Sequence, residues 1–173
     1  MPSYKSTEAN ATDETDAPNH VEFINIAKDD AISWPIPTHR MYPSTVNTRM
    51  ESTIIPFVYK STEVNKTLMD VLNDQLGLLK GALVQKHALH YFSRSELFLH
   101  NCLSGLQVLL PGADTWKYVK LIPGHAICNL RDAIAIFSAG ILHLNLHRVV
   151  PPLKKQVAYD HWSLIFFTCP GNK

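Results

Sequence analysis

Phe137-Ser-Ala-Gly-Ile-Leu-His-Leu-Asn-Leu-His-Arg-Val-Val-Pro-Pro152 decides how the C-terminal half of this chain is read. Ser138-Ala139-Gly140 has the composition of a turn. His143–Val150 follows as a run rich in apolar and β-branched residues, the texture of a strand. Pro151-Pro152 then stops it, because proline brings no backbone N–H to a ladder.

Working outward, the neighbouring segments repeat that pattern of short strand and turn. Leu106–Leu110 is a short apolar run, Pro111-Gly112-Ala113-Asp114 is a turn, and Trp116–Leu121 alternates large apolar residues with lysines. Together they predict a hairpin. Pro123-Gly124 ends its second strand and His125–Leu130 is expected to begin another, with Cys128 in the core. Ala133–Phe137 fits strand or helix equally, and Trp162–Thr168 is a further strand. Short strands at regular spacing point to a β-sandwich or barrel.

The N-terminal half has a different period. Residues 1–20 are polar and charged and are expected to form a flexible arm. Val21–Ile26 is a short apolar segment. Residues 33–46, with three prolines, predict an extended loop. A helix is expected from near Ser44, broken or kinked at Pro56. Beyond it Val64, Leu68, Val71, Leu72 and Leu76 fall on one helical face, and Gly77 has the place of a C-cap. A second short helix is expected at about Gly81–His90. The domain boundaries are accordingly an arm at 1–20, a helical region at 21–96 and a β domain at 97–173.

Bulk properties exclude several functions. The 173 residues, 46% hydrophobic, suffice for one core. A net charge of +1, from 16 basic and 15 acidic residues, leaves no nucleic-acid footprint. No apolar run is long enough to cross a bilayer, and the polar N-terminus has no signal-like core, so the expected location is cytoplasmic. Three cysteines without CxxC spacing argue against a disulfide framework or a zinc site.

Leu103–Leu110 (LSGLQVLL), Ile122–Asp132 (IPGHAICNLRD), Phe137–Pro152 and Trp162–Asn172 (WSLIFFTCPGN) resemble, in order and spacing, consecutive signatures of the iron(II)/2-oxoglutarate-dependent dioxygenases. Within that family they look like the fungal branch similar to isopenicillin N synthase, and LHRVVPP is the most specific of them. Phe23–Asp30, Tyr42–Met50, Val64–Leu78 and Lys80-Gly81-Ala82 resemble the helical lead-in of the same branch. The resemblance covers about residues 20–173, with one gap.

The resemblance implies an α+β chain: an incomplete double-stranded β-helix, or jelly roll, in the C-terminal half, with flanking helices in the N-terminal half. It implies iron(II) and 2-oxoglutarate as cofactors and a small-molecule substrate, typically in secondary metabolism. Such a site needs two imidazoles and one carboxylate on one face of the ion, leaving three positions for keto acid and oxygen. An Arg-x-Ser pair grips the far carboxylate of the keto acid, a task for a planar guanidinium fork.

Matched residue by residue, His147 takes the place of the distal iron ligand. Ser163 matches the serine of Arg-x-Ser, while His161 stands where the arginine belongs; a neutral imidazole offers one donor and no fixed charge. The Asn-x-Gly-Asp turn reads Asn129-Leu130-Arg131-Asp132, with Arg131 replacing glycine. The His-x-Asp pair has two readings. In one, His90 is the histidine and Phe92 stands in the carboxylate position, where it cannot bind a metal. In the preferred one, the strand carrying the pair is deleted at the Glu96–Leu97 join, and His90 is a polar residue on a helix. His143, four residues before His147, would share a strand face with it but lie too far away to bind the same ion. Losing strands from a two-layer fold leaves an open edge, and an intact domain holds only about 5–15 kcal/mol. The expected result is an unstable chain, or self-association through that edge, acting as a dioxygenase-like oxidoreductase or, alternatively, as a catalytically inactive remnant or non-catalytic binding module.

Overall fold

The computed structural model describes residues 4–5, 22–90, 96–99, 105–120, 122–130, 135–136, 138–150 and 164–170, with the backbone alone for residues 5 and 96–99. Two compact units emerge: residues 1–100 with 163–173, and residues 101–162.

In the first unit, strand β1 (Tyr4–Lys5) pairs antiparallel with β2 (Phe23–Ala27), Tyr4 opposite Ile24. The Tyr4 hydroxyl also bonds the Glu22 carboxylate. These two residues are therefore strand where a flexible arm is expected, and the rest of 1–20 lies outside the described residues. β3 (Glu96–Leu99) pairs with β2 on one side, Asn25 opposite Phe98, and with β7 (Leu164–Phe166) on the other, Phe98 opposite Ile165. The sheet order is β1-β2-β3-β7.

β2 runs directly into α1 (Lys28–Ile32). The loop that follows folds around Asp30, which is fully buried. Its carboxylate accepts from Tyr42 Oη (2.7 Å), Thr38 N (2.7 Å), Thr38 Oγ1 (3.2 Å) and His39 N (2.6 Å). The same Tyr42 oxygen accepts from Ala27 N at 2.9 Å. One carboxylate thus converts the proline-rich stretch, whose own ladder is short of N–H groups, into an ordered loop. Burial pushes the Asp30 carboxyl up, but the four donated bonds outweigh it and hold the group below the usual carboxylate range. The Tyr42 hydroxyl is pushed far up by its burial and by the carboxylate beside it.

A short helix α2 (Ser44–Asn47) leads through a π-helical turn, Met50–Ile54, into α3 (Ile55–Gln75). Pro56 sits in the first turn of α3, where its missing N–H has no intrahelical partner to lose. The expected break is realised as this change of helix type. Ile26, Ala31, Tyr42, Met50, Ile54 and Val58 form the core.

The buried line of α3 differs from the expected one. Val64 and Val71 are 52% and 53% exposed, while Val58, Met69 and Asn73 are buried and Leu68, Leu72 and Leu76 are half-buried. Val58 locks into the core at the helix start and fixes its rotation, turning the Val64–Val71 line outward. Gly77 (φ +64°) closes the helix with both bonds of a Schellman motif, Leu78 N to Asn73 O and Gly77 N to Asp74 O, each 3.1 Å. The second helix, α4, is shorter than expected at Ala82–Lys86.

The second unit holds a three-stranded antiparallel sheet in the order β5-β4-β6: β4 (Leu106–Leu109), β5 (Lys117–Tyr118) and β6 (Leu146–Val149). The hairpin of β4 and β5 is present, with Val108 opposite Lys117, though β5 keeps two residues of the expected six. Three further expectations are corrected. His125–Leu130 is irregular and not a strand, and Cys128 is exposed. The strand expected from His143 begins only at Leu146. Of Ala133–Phe137, open between strand and helix in the sequence, the described Ala135 and Ile136 are helical. No apolar side chain described in this unit is buried, and a segment that buries nothing on its apolar side gains little from forming a strand. No described helix is long and apolar enough to cross a membrane.

Candidate functional site

β6 carries His147 and Arg148, neighbours that a strand must point to opposite faces. The register places His147 opposite Val108 and Arg148 opposite Gln107. On the Arg148 face, Nε donates to Gln107 Oε1 at 2.9 Å, and the guanidinium lies 4.2 Å from the ring centre of Trp116. Gln107 is 7% exposed, so this bond satisfies a buried amide. The stacking and the hydrogen bond aim the guanidinium away from His147. Arg148 is therefore engaged on the face opposite His147.

On the other face, His147 is exposed and meets Asn129. The Asn129 amide nitrogen lies 2.9 Å from Nδ1 and 3.3 Å from Nε2. An amide NH2 only donates, so the nearer ring nitrogen, Nδ1, receives the bond through its lone pair. The other nitrogen of the neutral ring then carries the proton.

Among the described residues no metal centre assembles around His147. Among the described residues, no group of three His, Cys, Asp or Glu side chains stands close enough to hold an ion. His90 lies in a turn beyond the end of α4 and is exposed; it is not the helical residue expected. His143 is exposed and lies before β6 begins. The ring of His125 donates from Nδ1 to Pro123 O at 3.0 Å, a local turn contact next to Gly124 (φ +74°). His161, Ser163, Phe92, Arg131 and Asp132 lie outside the described residues. Among the described residues the donor set thus does not fit the iron centre that the resemblance implies: one imidazole falls short of two imidazoles and a carboxylate.

Sequence reasoning singled out Asn129 only as the first residue of a turn. Its bond to His147 spans 18 positions of chain, and no local periodicity encodes such a contact.

Residues 86–170 match the family model of the 2OG-Fe(II) oxygenase superfamily. Among curated proteins, a 2-oxoglutarate-dependent dioxygenase of Aspergillus fumigatus is 37% identical over 59 residues, which is 34% of this chain and 15% of that protein. The 2-oxoglutarate-dependent dioxygenase iboH of Amanita muscaria is 35% identical over 70 residues, 39% of this chain and 34% of that protein. A homoarginine-6-hydroxylase of Oryza sativa is 41% identical over 51 residues, 28% of this chain and 16% of that protein. The matched stretches span from 15% to 34% of the length of these three relatives.

Proposed function

The chain belongs to the 2OG-Fe(II) oxygenase superfamily through residues 86–170, and from that premise we propose that it is an oxidoreductase-type protein of the fungal small-molecule dioxygenase kind whose own residues no longer complete the iron centre. The β4–β5–β6 sheet is, on this reading, part of the family's jelly roll. Iron(II) and 2-oxoglutarate are the cofactors of the lineage, with an unidentified small molecule of secondary metabolism as the ancestral substrate. The polypeptide by itself does not turn over.

One observation carries this proposal: His147, the residue matched to the distal iron ligand, bonds Asn129 and has no second and third ligand beside it among the described residues. Metal affinity falls steeply as ligands are removed from a site. A second reading, a working oxygenase with a rebuilt centre, is favoured by the retained LHRVVPP segment and by the exposure of His147 on its strand. Release of succinate from 2-oxoglutarate separates the two. The proposal expects no succinate above an iron-only blank. Turnover that disappears in His147→Ala would establish the second reading.

The same account includes self-association. β6 is paired on one side only among the described residues, and its four residues are all exposed. Such an edge is a template for another strand. Sedimentation across a concentration series checks this, and a monomer throughout would remove it.

A further inference from the structure

The two ends of the family-matched stretch, residues 86–170, meet inside the unit of residues 1–100 and 163–173. His87 caps α4 at one end, and Thr168 and Cys169 follow β7 at the other. Two side-chain bonds hold the C-terminal segment there. Thr168 Oγ1 donates to Asn65 Oδ1 of α3 at 3.2 Å. The His87 ring bonds the Cys169 backbone. Nδ1 of that ring is buried with no hydrogen-bond partner, so the bond is made by Nε2. A ring N–H donates, so Nε2 carries the proton and the Cys169 carbonyl accepts.

The neutral ring fits this place and the charged ring does not. Protonation adds an N–H at Nδ1, where the structure supplies no acceptor and leaves no surface for water. A buried donor without a partner is costly, and so is a charge taken out of water. Burial already holds the imidazole below its ordinary pKa, and the Cys169 bond only partly opposes this.

The charged groups around the ring do not rescue that proton among the described residues. Glu63 and Lys66 of α3 line the same cavity as the ring and carry opposite signs, and Glu63 is already paired with Lys60 at 2.8 Å. Lys28 of α1 reaches Leu89 O at 2.7 Å and brings a further positive charge, itself paired with Asp29 at 2.9 Å. On the ring's own segment Lys86 and His90 are exposed. From the C-terminal side the titratable group is the Cys169 thiol. The relief open to a charged ring is outward. It is half-buried at the end of a five-residue helix, next to exposed Gln85 and Lys86.

We propose that His87 is an acid-released clasp: protonation turns its ring out to solvent, breaks the bond to Cys169 and frees the Thr168–Cys169 segment from α3 and α4. The clasp is closed above the ordinary histidine value of about 6.5. It opens as pH falls from there through the lower value of the docked ring. The Asp30 carboxyl is held below the carboxylate range, so the segment opens while the Asp30 network is still intact. The clasp does not depend on the iron centre and stands or falls apart from it.

NMR of the full chain between pH 7.5 and 4.5 tests it, with nitrogen-15 signals of the His87 ring and Overhauser contacts from its ring protons to Cys169 and from Thr168 to Asn65. The ring is expected to titrate with a midpoint below about 6.5, and both sets of contacts to vanish at that midpoint while those among Ile26, Met50 and Val58 persist. His87→Gln keeps an N–H donor that cannot take up a proton, and is expected to hold Thr168 on Asn65 through the whole range. Contacts that survive once the ring is charged overturn the proposal. So does a ring that stays neutral until the whole unit unfolds, or a variant that loses the Thr168 contact as the wild type does. The titration of the unaltered chain decides the question even where His87→Gln fails to fold.

Discussion

In the unit of residues 1–100 and 163–173, Ile26, Ala31, Met50 and Val58 are at most 1% exposed, whereas in the unit of residues 101–162 Ile122, Ile136, Ile141 and Leu146 are all more than half exposed. The family signature is densest where the packing is poorest. Strand sequences of a two-layer fold are written for a facing layer. Leu146–Val149 pair with β4 but have no buried side, since backbone bonds need only a neighbouring strand and burial needs a facing layer. The first unit, with its own buried carboxylate and a helix closed by a Schellman motif, carries its stability locally.

The largest effect that would expose this asymmetry is truncation of core side chains. Met50→Ala should lower the unfolding free energy by about 2–5 kcal/mol, while Leu146→Ala, at 58% exposure, should change it by less than about 0.5 kcal/mol. Urea unfolding measures both, and similar losses would erase the contrast.

Next in size is Asp30→Asn, which replaces an ionised acceptor of four bonds and should cost about 1–3 kcal/mol. The Asp30 carboxyl lies below its ordinary value in the folded chain. Its contribution is therefore present above the unfolded carboxylate pKa of about 3.9 and is lost as pH falls through the folded value. Acid unfolding of the wild type should steepen in that window, and Asp30→Asn should flatten it.

Gly77→Ala should cost about 1–2 kcal/mol, because φ +64° is left-handed and nothing lies within 4 Å of an added Cβ, so the backbone conformation alone sets the loss. Thermal unfolding would show it. The smallest effect is expected from Asn129→Ala. Both members of its bond to His147 are exposed, so stability should move by less than about 0.5 kcal/mol. A larger loss in chemical denaturation would mean that this bond holds the second unit together.

How far the sequence could be read follows the same division. Gly77 as a helix end, the β4–β5 hairpin and the proline at the head of α3 are local features, and each was legible from a few adjacent residues. The rotation of α3 was not, because Val58 sets it by meeting Ile26 and Met50 across the chain. The strand at His125–Leu130 was misread for a related reason: its apolar content is real, but burial depends on a partner layer that composition does not reveal. At the candidate site His147 is singled out by its motif. Its engagement by Asn129 and the separation of Arg148 onto the opposite face were not legible, since both follow from sheet register.

Iron binding decides the central claim most directly. Under anaerobic conditions, iron(II) and 2-oxoglutarate are titrated into the purified chain while the weak metal-to-ligand absorption is followed, with His147→Ala alongside. The account predicts no stoichiometric band and identical traces for the two proteins. A band that needs both iron and keto acid, and that vanishes in His147→Ala, would contradict it and restore a working metal centre.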